Sequence, residues 1–463
     1  MLFGILNTAG SNFYFIYDYV FSDKTLGDLD LVSSAFVEKE LRPSCYYTDL
    51  LPCDVNSKYR TVTGQCNNVQ YPDLGKKNTV LKRLLPSEYD DGVSSPRVRS
   101  AVDGRSAVDG YYLPSPRAVS LKIHTAQETP DLQFNLNMMQ WGQFIDHDFA
   151  LIPINTGFNK EVSLDCRACD SYVDNPGCFP IPIPSDEPFY PTQPSPQCMA
   201  FTRSEPAILV RGARQHMNDV THFLDASMLY SSDSCKSTKL RKANHFMFEM
   251  EDNKPRKDLL PLCMLGECRA ADNQCFIAGD VRVNEQPGLT TYHTLLFREH
   301  NHISGKLSTI NPNWSTEKVF QETRRIIGAI VQHITYNEYL PRILGQTIMQ
   351  QYSLELLPSG YYNGYNPQCT GVISTEFSTA AWRFGHSMVR SNLALITEDE
   401  MVKGEAGKQV ALTDVFFNSD LLRSQTLDDV VRGLLMTPMG VVDNLVSKLL
   451  SNRLFEEKGK GFS

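Results

Sequence analysis

The chain has 463 residues, 41% apolar and 21% charged, a balance that suits a globular protein with a sizeable core. A formal net charge of −9 argues against a nucleic-acid surface, which needs clustered Lys and Arg. No apolar run approaches the ~20 residues that cross a bilayer, so no transmembrane segment is expected.

Twelve cysteines are many for a reducing cytosol, and they predict disulfides and a secreted, extracellular protein. The N-glycosylation acceptor Asn313-Trp314-Ser315 agrees. Residues 1–20 lack a basic start and are a poor secretory leader, so secretion rests on the cysteines.

In chain order, residues 1–44 read as an N-terminal segment of leader or propeptide character. Within it, Leu26, Leu29, Val32, Phe36 and Leu41 recur at helical spacing up to Pro43. Residues 86–117 read as loop, with Ser100–Gly104 copied at Ser106–Gly110. Gln127–Phe149 is expected to be the central helix. Cys166, Cys169, Cys178 and Cys198 then bracket a proline-dense stretch from Pro176 to Pro196, which reads as an excursion pinned by disulfides. A zinc site is the competing reading, disfavoured by irregular spacing and an oxidising compartment. Further helices are expected over Leu289–Leu307, Ser315–Tyr339 and Leu427–Phe455, with breaks at Pro341, Pro358–Gly364 and Pro367. The fold class is mainly α, one large domain over 45–463 with no internal linker.

Four stretches carry candidate chemistry. As a helix, Trp141–Asp148 puts Gln143 and His147 on one face with Asp146 beside them; the plain alternative is a solvated helix end. Thr221–Ser227 sets oxygen-bearing side chains at alternate positions. Thr221, Asp225, Ser227 and the Phe223 carbonyl, joined by Asp148 from elsewhere, would suit calcium, whereas alone such a loop is a turn or helix cap. In Ala278–Glu285, Arg282 is permanently charged, and Glu285 is either a site residue or its salt-bridge partner. Trp382-Arg383-Phe384-Gly385-His386 offers an imidazole able to ligate haem iron, or an ordinary core histidine.

Together these stretches resemble the animal haem peroxidases, the family of myeloperoxidase, thyroid peroxidase, peroxidasin and the insect chorion peroxidases. The likeness runs from about Cys53 to Phe455. It includes Tyr59-Arg60-Thr61, Gly64–Asn68, Arg83–Pro86, Tyr89–Gly92, Cys178-Phe179-Pro180, Leu295–Asn301, Ile334-Thr335-Tyr336 and Tyr339-Leu340-Pro341. The resemblance implies that His147 is the distal base, Arg282 the distal arginine and Gln143 the glutamine beside peroxide and halide. It makes His386 the proximal iron ligand and Arg383 the partner of a haem propionate. Asp146 and Glu285 match the carboxylates ester-linked to haem b. Gln286 stands where myeloperoxidase has its sulfonium methionine, so that third link is not expected.

The same resemblance implies calcium at Asp148, Thr221, Phe223, Asp225 and Ser227. It also implies disulfides Cys53–Cys66, Cys166–Cys178 and Cys169–Cys198, with Cys275 joined to Cys263 or Cys268; Cys235 and Cys369 stay unassigned. The family continues past this chain's Leu454-Phe455 into a segment whose asparagine bonds the proximal histidine. The 45–463 domain is therefore expected to be C-terminally incomplete: a fragment, an isoform, or a form with impaired activity.

The expected function is a secreted haem peroxidase. It would reduce hydrogen peroxide and oxidise a halide, a small phenol or tyrosines of matrix- or eggshell-type proteins. The competing reading is a truncated, catalytically weak homologue that acts as an extracellular binding or structural protein. A fatty-acid dioxygenase of the cyclooxygenase type would need a tyrosine at Phe384 and is set aside.

Overall fold

A computed structural model of the chain describes residues 52–97, 113–124, 127–156, 164–190, 197–207, 212–252, 258–264, 268–424, 427–452 and 454, with short pairs at 13–14, 32–33, 456–457 and 461–462. The described fold is mainly helical, and its β-structure is limited to two-stranded pairs. The leader-like segment 1–44 lies almost wholly outside the described residues. Where it is described, Val32–Ser33 is extended and pairs antiparallel with Phe13–Tyr14, so the helical spacing of 22–42 does not make a helix there.

Strand β1, Pro130–Asn135, leads directly into helix α1, Leu136–Phe149. The central helix therefore starts nine residues later than its apolar pattern predicts. Two local causes are visible. Pro130 has no N–H to continue a helical ladder, and the Asn135 side chain accepts from the Asn137 N–H at 3.2 Å as an N-cap. Ten of the fourteen α1 residues are buried, including Asp146, His147 and Asp148. A helix buried on most sides is interior scaffold, and it holds the side chains it carries rigidly.

Helix α2, Pro287–Ile310, begins with Pro287 at its first turn, where a missing N–H costs nothing, and Gln286 caps it through Gly288 N at 2.8 Å. Helix α3, Thr316–His333, is capped by Ser315 and runs into a π-helical turn over Ile334–Tyr339, after which Pro341 opens a new short helix. The predicted 315–339 helix is thus present, with a change of winding at its end. Asn313 lies exposed between α2 and α3.

Strands β2, Asn392–Leu395, and β3, Lys408–Ala411, pair antiparallel. Helix α4, Leu427–Met436, packs on β2 and α2. Gly433 permits that contact, because a Cβ there would collide with the Ala394 carbonyl oxygen. The helix predicted to reach Phe455 stops at Met436, where Pro438 turns the chain into β4, Pro438–Gly440, paired with β1. Only the short helix Lys448–Ser451 follows within the described part of that span.

The core joins these elements through Phe144, Leu229, Tyr230, Leu289, Ile327, Val331 and Val430, all essentially inaccessible, with Phe248 and Phe297 stacked at 4.0 Å between centroids. The loop predicted for 86–117 ends at Ser115, where Pro116–Ile123 turns helical. Its duplicated Ser100–Gly110 stretch lies outside the described residues.

Cys53–Cys66, Cys166–Cys178 and Cys169–Cys198 are bridged, which leaves the proline-dense excursion held by disulfides and not by zinc. Cys275 takes Cys268. Cys235 is also disulfide-bonded, while Cys263 and Cys369 are free and exposed.

Candidate active site

The site lies where α1, the Val281–Asn284 turn and the Ala381–Met388 turn meet around a cavity of about 530 Å³. His147, Gln143 and Asp146 come from α1, Arg282 and Glu285 from the second element, and Arg383 and His386 from the third. All seven line this one cavity. Its size is that of a typical cofactor pocket.

Asp280 organises the middle element. It caps the turn by accepting from Arg282 N at 2.8 Å and holds the same residue's Nε and Nη2, each at 2.8 Å. Arg282 Nη1 donates to the Ala150 carbonyl at 2.8 Å, just beyond the end of α1. Burial alone would raise the Asp280 carboxyl, but the Arg282 guanidinium outweighs it and holds the group well below the usual carboxylate range. Asp280 was not among the sequence candidates. Its signal was an acid two residues before an arginine at a turn start, the pattern of an N-cap.

His147 sits between two acids, with Nδ1 3.7 Å from Asp280 and Nε2 3.6 Å from Glu285. Burial, and then the charge of Arg282, keeps its pKa well below the usual value, so the imidazole is neutral near pH 7. Its buried Nδ1 makes no hydrogen bond. Burial also pushes the Glu285 carboxyl up to about 7, against the opposing pull of Arg282. Gln143 donates to Glu285 at 2.9 Å and accepts from Gln286 at 2.9 Å. Gln286 further donates to Gln140, so an amide chain fixes Gln143.

Asp146 is buried, with its carboxyl raised by burial against the nearby Arg282 and Arg383, each 3.9 Å away. Its Oδ1 has no hydrogen-bond partner. Arg383 anchors Nε on the Ser378 carbonyl at 3.0 Å and keeps 42% of its side chain open. The His386 ring is open to the cavity, and surrounding burial, then Arg383, lowers its pKa, leaving the neutral form that a metal ligand needs. Trp382 donates to the Gly142 carbonyl at 3.4 Å and so ties this turn to α1. A Cβ at Gly142 would lie 2.6 Å from the Tyr339 hydroxyl, which makes Tyr339 another wall of the cavity that sequence reasoning did not single out.

An orphaned carboxyl oxygen, an outward-facing arginine and a neutral histidine, all on one large cavity, fit a flat cofactor carrying carboxylates and a ligand-accepting metal. The residues present therefore fit haem.

The second predicted cluster also assembles. Ser227 Oγ donates to Asp148 at 2.8 Å, the Ala226 N–H donates to Asp148 at 2.9 Å, and Thr221 Oγ1 donates to Asp225 at 3.0 Å. The segment is a tight turn closing into the Ser227–Tyr230 helix, not the extended loop its alternation predicts. Both acids are fully buried. Burial raises each, and for Asp148 the neighbouring Asp225 charge adds to it. Among the described residues no group of three or more His, Cys, Asp or Glu gathers as a metal site. A cation here would draw on two carboxylates plus hydroxyl and carbonyl oxygens, a donor set that suits a hard ion. Phe223 is half-buried. The turn abuts the Arg282 element: Asp280 N donates to the Met228 carbonyl at 2.9 Å, and a Cβ at Gly279 would lie 2.6 Å from the Ser227 carbonyl oxygen.

The family model for animal haem peroxidases matches residues 59–463, and the chain belongs to that family. It is 37% identical to myeloperoxidase of Mus musculus over 434 residues, covering 89% of this chain and 58% of that protein. It is 36% identical to the peroxidasin homolog of Mus musculus, covering 86% of this chain and 28% of that protein. The chain thus spans little more than half of one of these relatives and about a quarter of the other. Among solved structures, peroxidase A from Dictyostelium discoideum superposes with a TM-score of 0.69 at 25% identity, covering 88% of this chain and 74% of that one. Fatty acid alpha-dioxygenase of Oryza sativa shares the fold alone, with a TM-score of 0.61 at 17% identity.

Proposed function

We propose that the chain is a haem peroxidase that reduces hydrogen peroxide at the expense of a phenolic or halide donor. The observation that carries this reading is a single cavity lined by neutral His147, by Arg282 clamped to Asp280, and by neutral His386. Bound haem b would supply the redox chemistry, with His386 as the residue that holds its iron.

The chain's own groups have separable tasks. His147 Nε2 accepts a proton from hydrogen peroxide and returns it to the departing oxygen, which its neutral resting form allows. Arg282, permanently cationic, favours negative charge developing on that oxygen. Gln143, held by Gln286 and Glu285, orients the peroxide or halide. Arg383 pairs with a propionate. Asp146 and Glu285 are the carboxyls we assign to ester links.

We assign calcium to Asp148, Thr221, Asp225, Ser227 and the Phe223 carbonyl. The ion would relieve the repulsion between two buried carboxylates and fix Asp148, the neighbour of His147 in α1. The disulfides and the exposed Asn313 acceptor support an extracellular location.

The test is rapid mixing of haem-loaded protein with peroxide. His147→Ala should slow peroxide consumption by about 10²–10⁴-fold, the usual value of a positioned general base, while haem stays bound. A wild-type rate in that variant would remove His147 from the chemistry.

A further inference from the structure

One surface loop is unusually rich in exposed phenols. Among the described residues, Tyr361 is 98% exposed, Tyr362 73%, Tyr365 68% and Tyr352 64%, and every residue from 355 to 366 is exposed. The loop carries no secondary structure, yet both ends are fastened. Leu354 N donates to the Met349 carbonyl at 2.8 Å, and Asn68 Nδ2 donates to the Pro367 carbonyl at 2.8 Å. Gly364 leaves room for the Tyr362 hydroxyl, which lies against it. Large aromatic rings held this far into water gain nothing for stability, because they forgo the burial that rewards aromatics elsewhere in the chain.

The contrast with the interior tyrosines is chemical. Burial raises the pKa of Tyr230, Tyr292 and Tyr339, and the Tyr230 and Tyr292 hydroxyls are engaged inside the fold by His300 and Asn137. The loop phenols are open to water.

We infer that Tyr361, Tyr362 and Tyr365 form a self-oxidation site, through which two copies of this chain become covalently joined while peroxide is consumed. The inference rests on the peroxidase reading. Each of two tyrosines gives up one electron and its hydroxyl proton, and the two electrons and two protons reduce one hydrogen peroxide to two waters. The phenoxyl radicals form a carbon–carbon bond between ring positions next to the oxygen. The two ring hydrogens there move to oxygen as protons and restore both phenols. Loops that stand free of the fold allow two rings from different molecules to meet face to face, which buried tyrosines cannot do.

The experiment treats the haem-loaded protein with hydrogen peroxide and no added donor. A reducing gel, which removes any dimer made through Cys369 or Cys263, then reports covalent dimer. Peptide mass spectrometry locates cross-links at the mass of two loop peptides less two hydrogens. The variant Y361F/Y362F/Y365F should lose most of the dimer yet oxidise an added small phenol as before. In parallel, a photochemical one-electron oxidant acting on the chain without haem or peroxide should couple the same loop peptides. Dimer persisting in the triple variant, dityrosine formed only within one chain, or phenol oxidation without loop coupling would each overturn the inference alone. Loss of both phenol oxidation and coupling would overturn the peroxidase reading and this inference with it.

Discussion

Asp280 holds Arg282 through paired 2.8 Å bonds to Nε and Nη2 while lying 3.7 Å from His147 Nδ1. One carboxylate thus fixes the Arg282 side chain and biases the charge of His147. With only 1% of Asp280 and 14% of Arg282 exposed, this is a buried ion pair whose members depend on each other. Asp280→Asn should leave the guanidinium without its counter-charge and cost about 3–5 kcal/mol of stability, the usual penalty for breaking such a pair. Thermal unfolding would show a clear drop in Tm, and peroxide consumption should slow as well. An unchanged Tm would mean that Arg282 does not need Asp280.

Glu285 gives the protein without haem a pH signature. Its folded pKa of about 7 lies above the usual 4.5 because burial disfavours the carboxylate. The folded state therefore holds a proton that the unfolded chain has already released. The stability this group contributes is fully present below about pH 4.5 and is lost as pH rises through about 7. With 30% of the side chain open to the cavity, solvent screening limits the effect to roughly 1–2 kcal/mol. Glu285→Gln should flatten this part of the Tm-against-pH curve; an unaltered curve would assign the effect elsewhere.

Calcium binding should depend on pH in the opposite direction. Asp148 and Asp225 both have raised pKa values and must lose protons before they can hold a cation. The rise in Tm on adding calcium should therefore be larger at neutral pH than at pH ~5, following the linkage between ligand binding and stability. It should vanish in Asp225→Asn. If calcium leaves the wild-type Tm unchanged at every pH, the buried acids do not bind it.

Gly279 joins the Thr221–Ser227 turn to the Arg282 element. A methyl group there would press on the Ser227 carbonyl oxygen at 2.6 Å, and backbone cannot swing aside as a side chain can. Gly279→Ala should cost about 1–3 kcal/mol, typical of an overpacked site. A neutral effect on Tm would show that the two elements are looser than their packing suggests.

Local patterns revealed most of the site but not its boundaries. Gln143 and His147 share a helix face that the sequence shows, whereas the roles expected of Arg282, Glu285 and His386 come from the family resemblance; the fold brings all five to one cavity. Asp280 was not, because its importance comes from what it faces in space. Helix α1 starts nine residues later than expected because Pro130 and the two-residue alternation of Leu132 and Phe134 suit a strand, and β1 pairs with Pro438–Gly440. The same β-pair cuts the predicted C-terminal helix short. Cys275 bonds Cys268 although the strand register sets Cys263 directly across from it, a choice that the spacing of the three cysteines does not contain.

The most direct test is the absorption spectrum of the purified chain with haem and calcium, before and after hydrogen peroxide. A ferric Soret band that shifts on peroxide, returns on adding a phenol and is lost in His386→Ala is the expected result. A chain that binds no haem, or whose band ignores both peroxide and the His386 substitution, would contradict the assignment of this cavity as a peroxidase site.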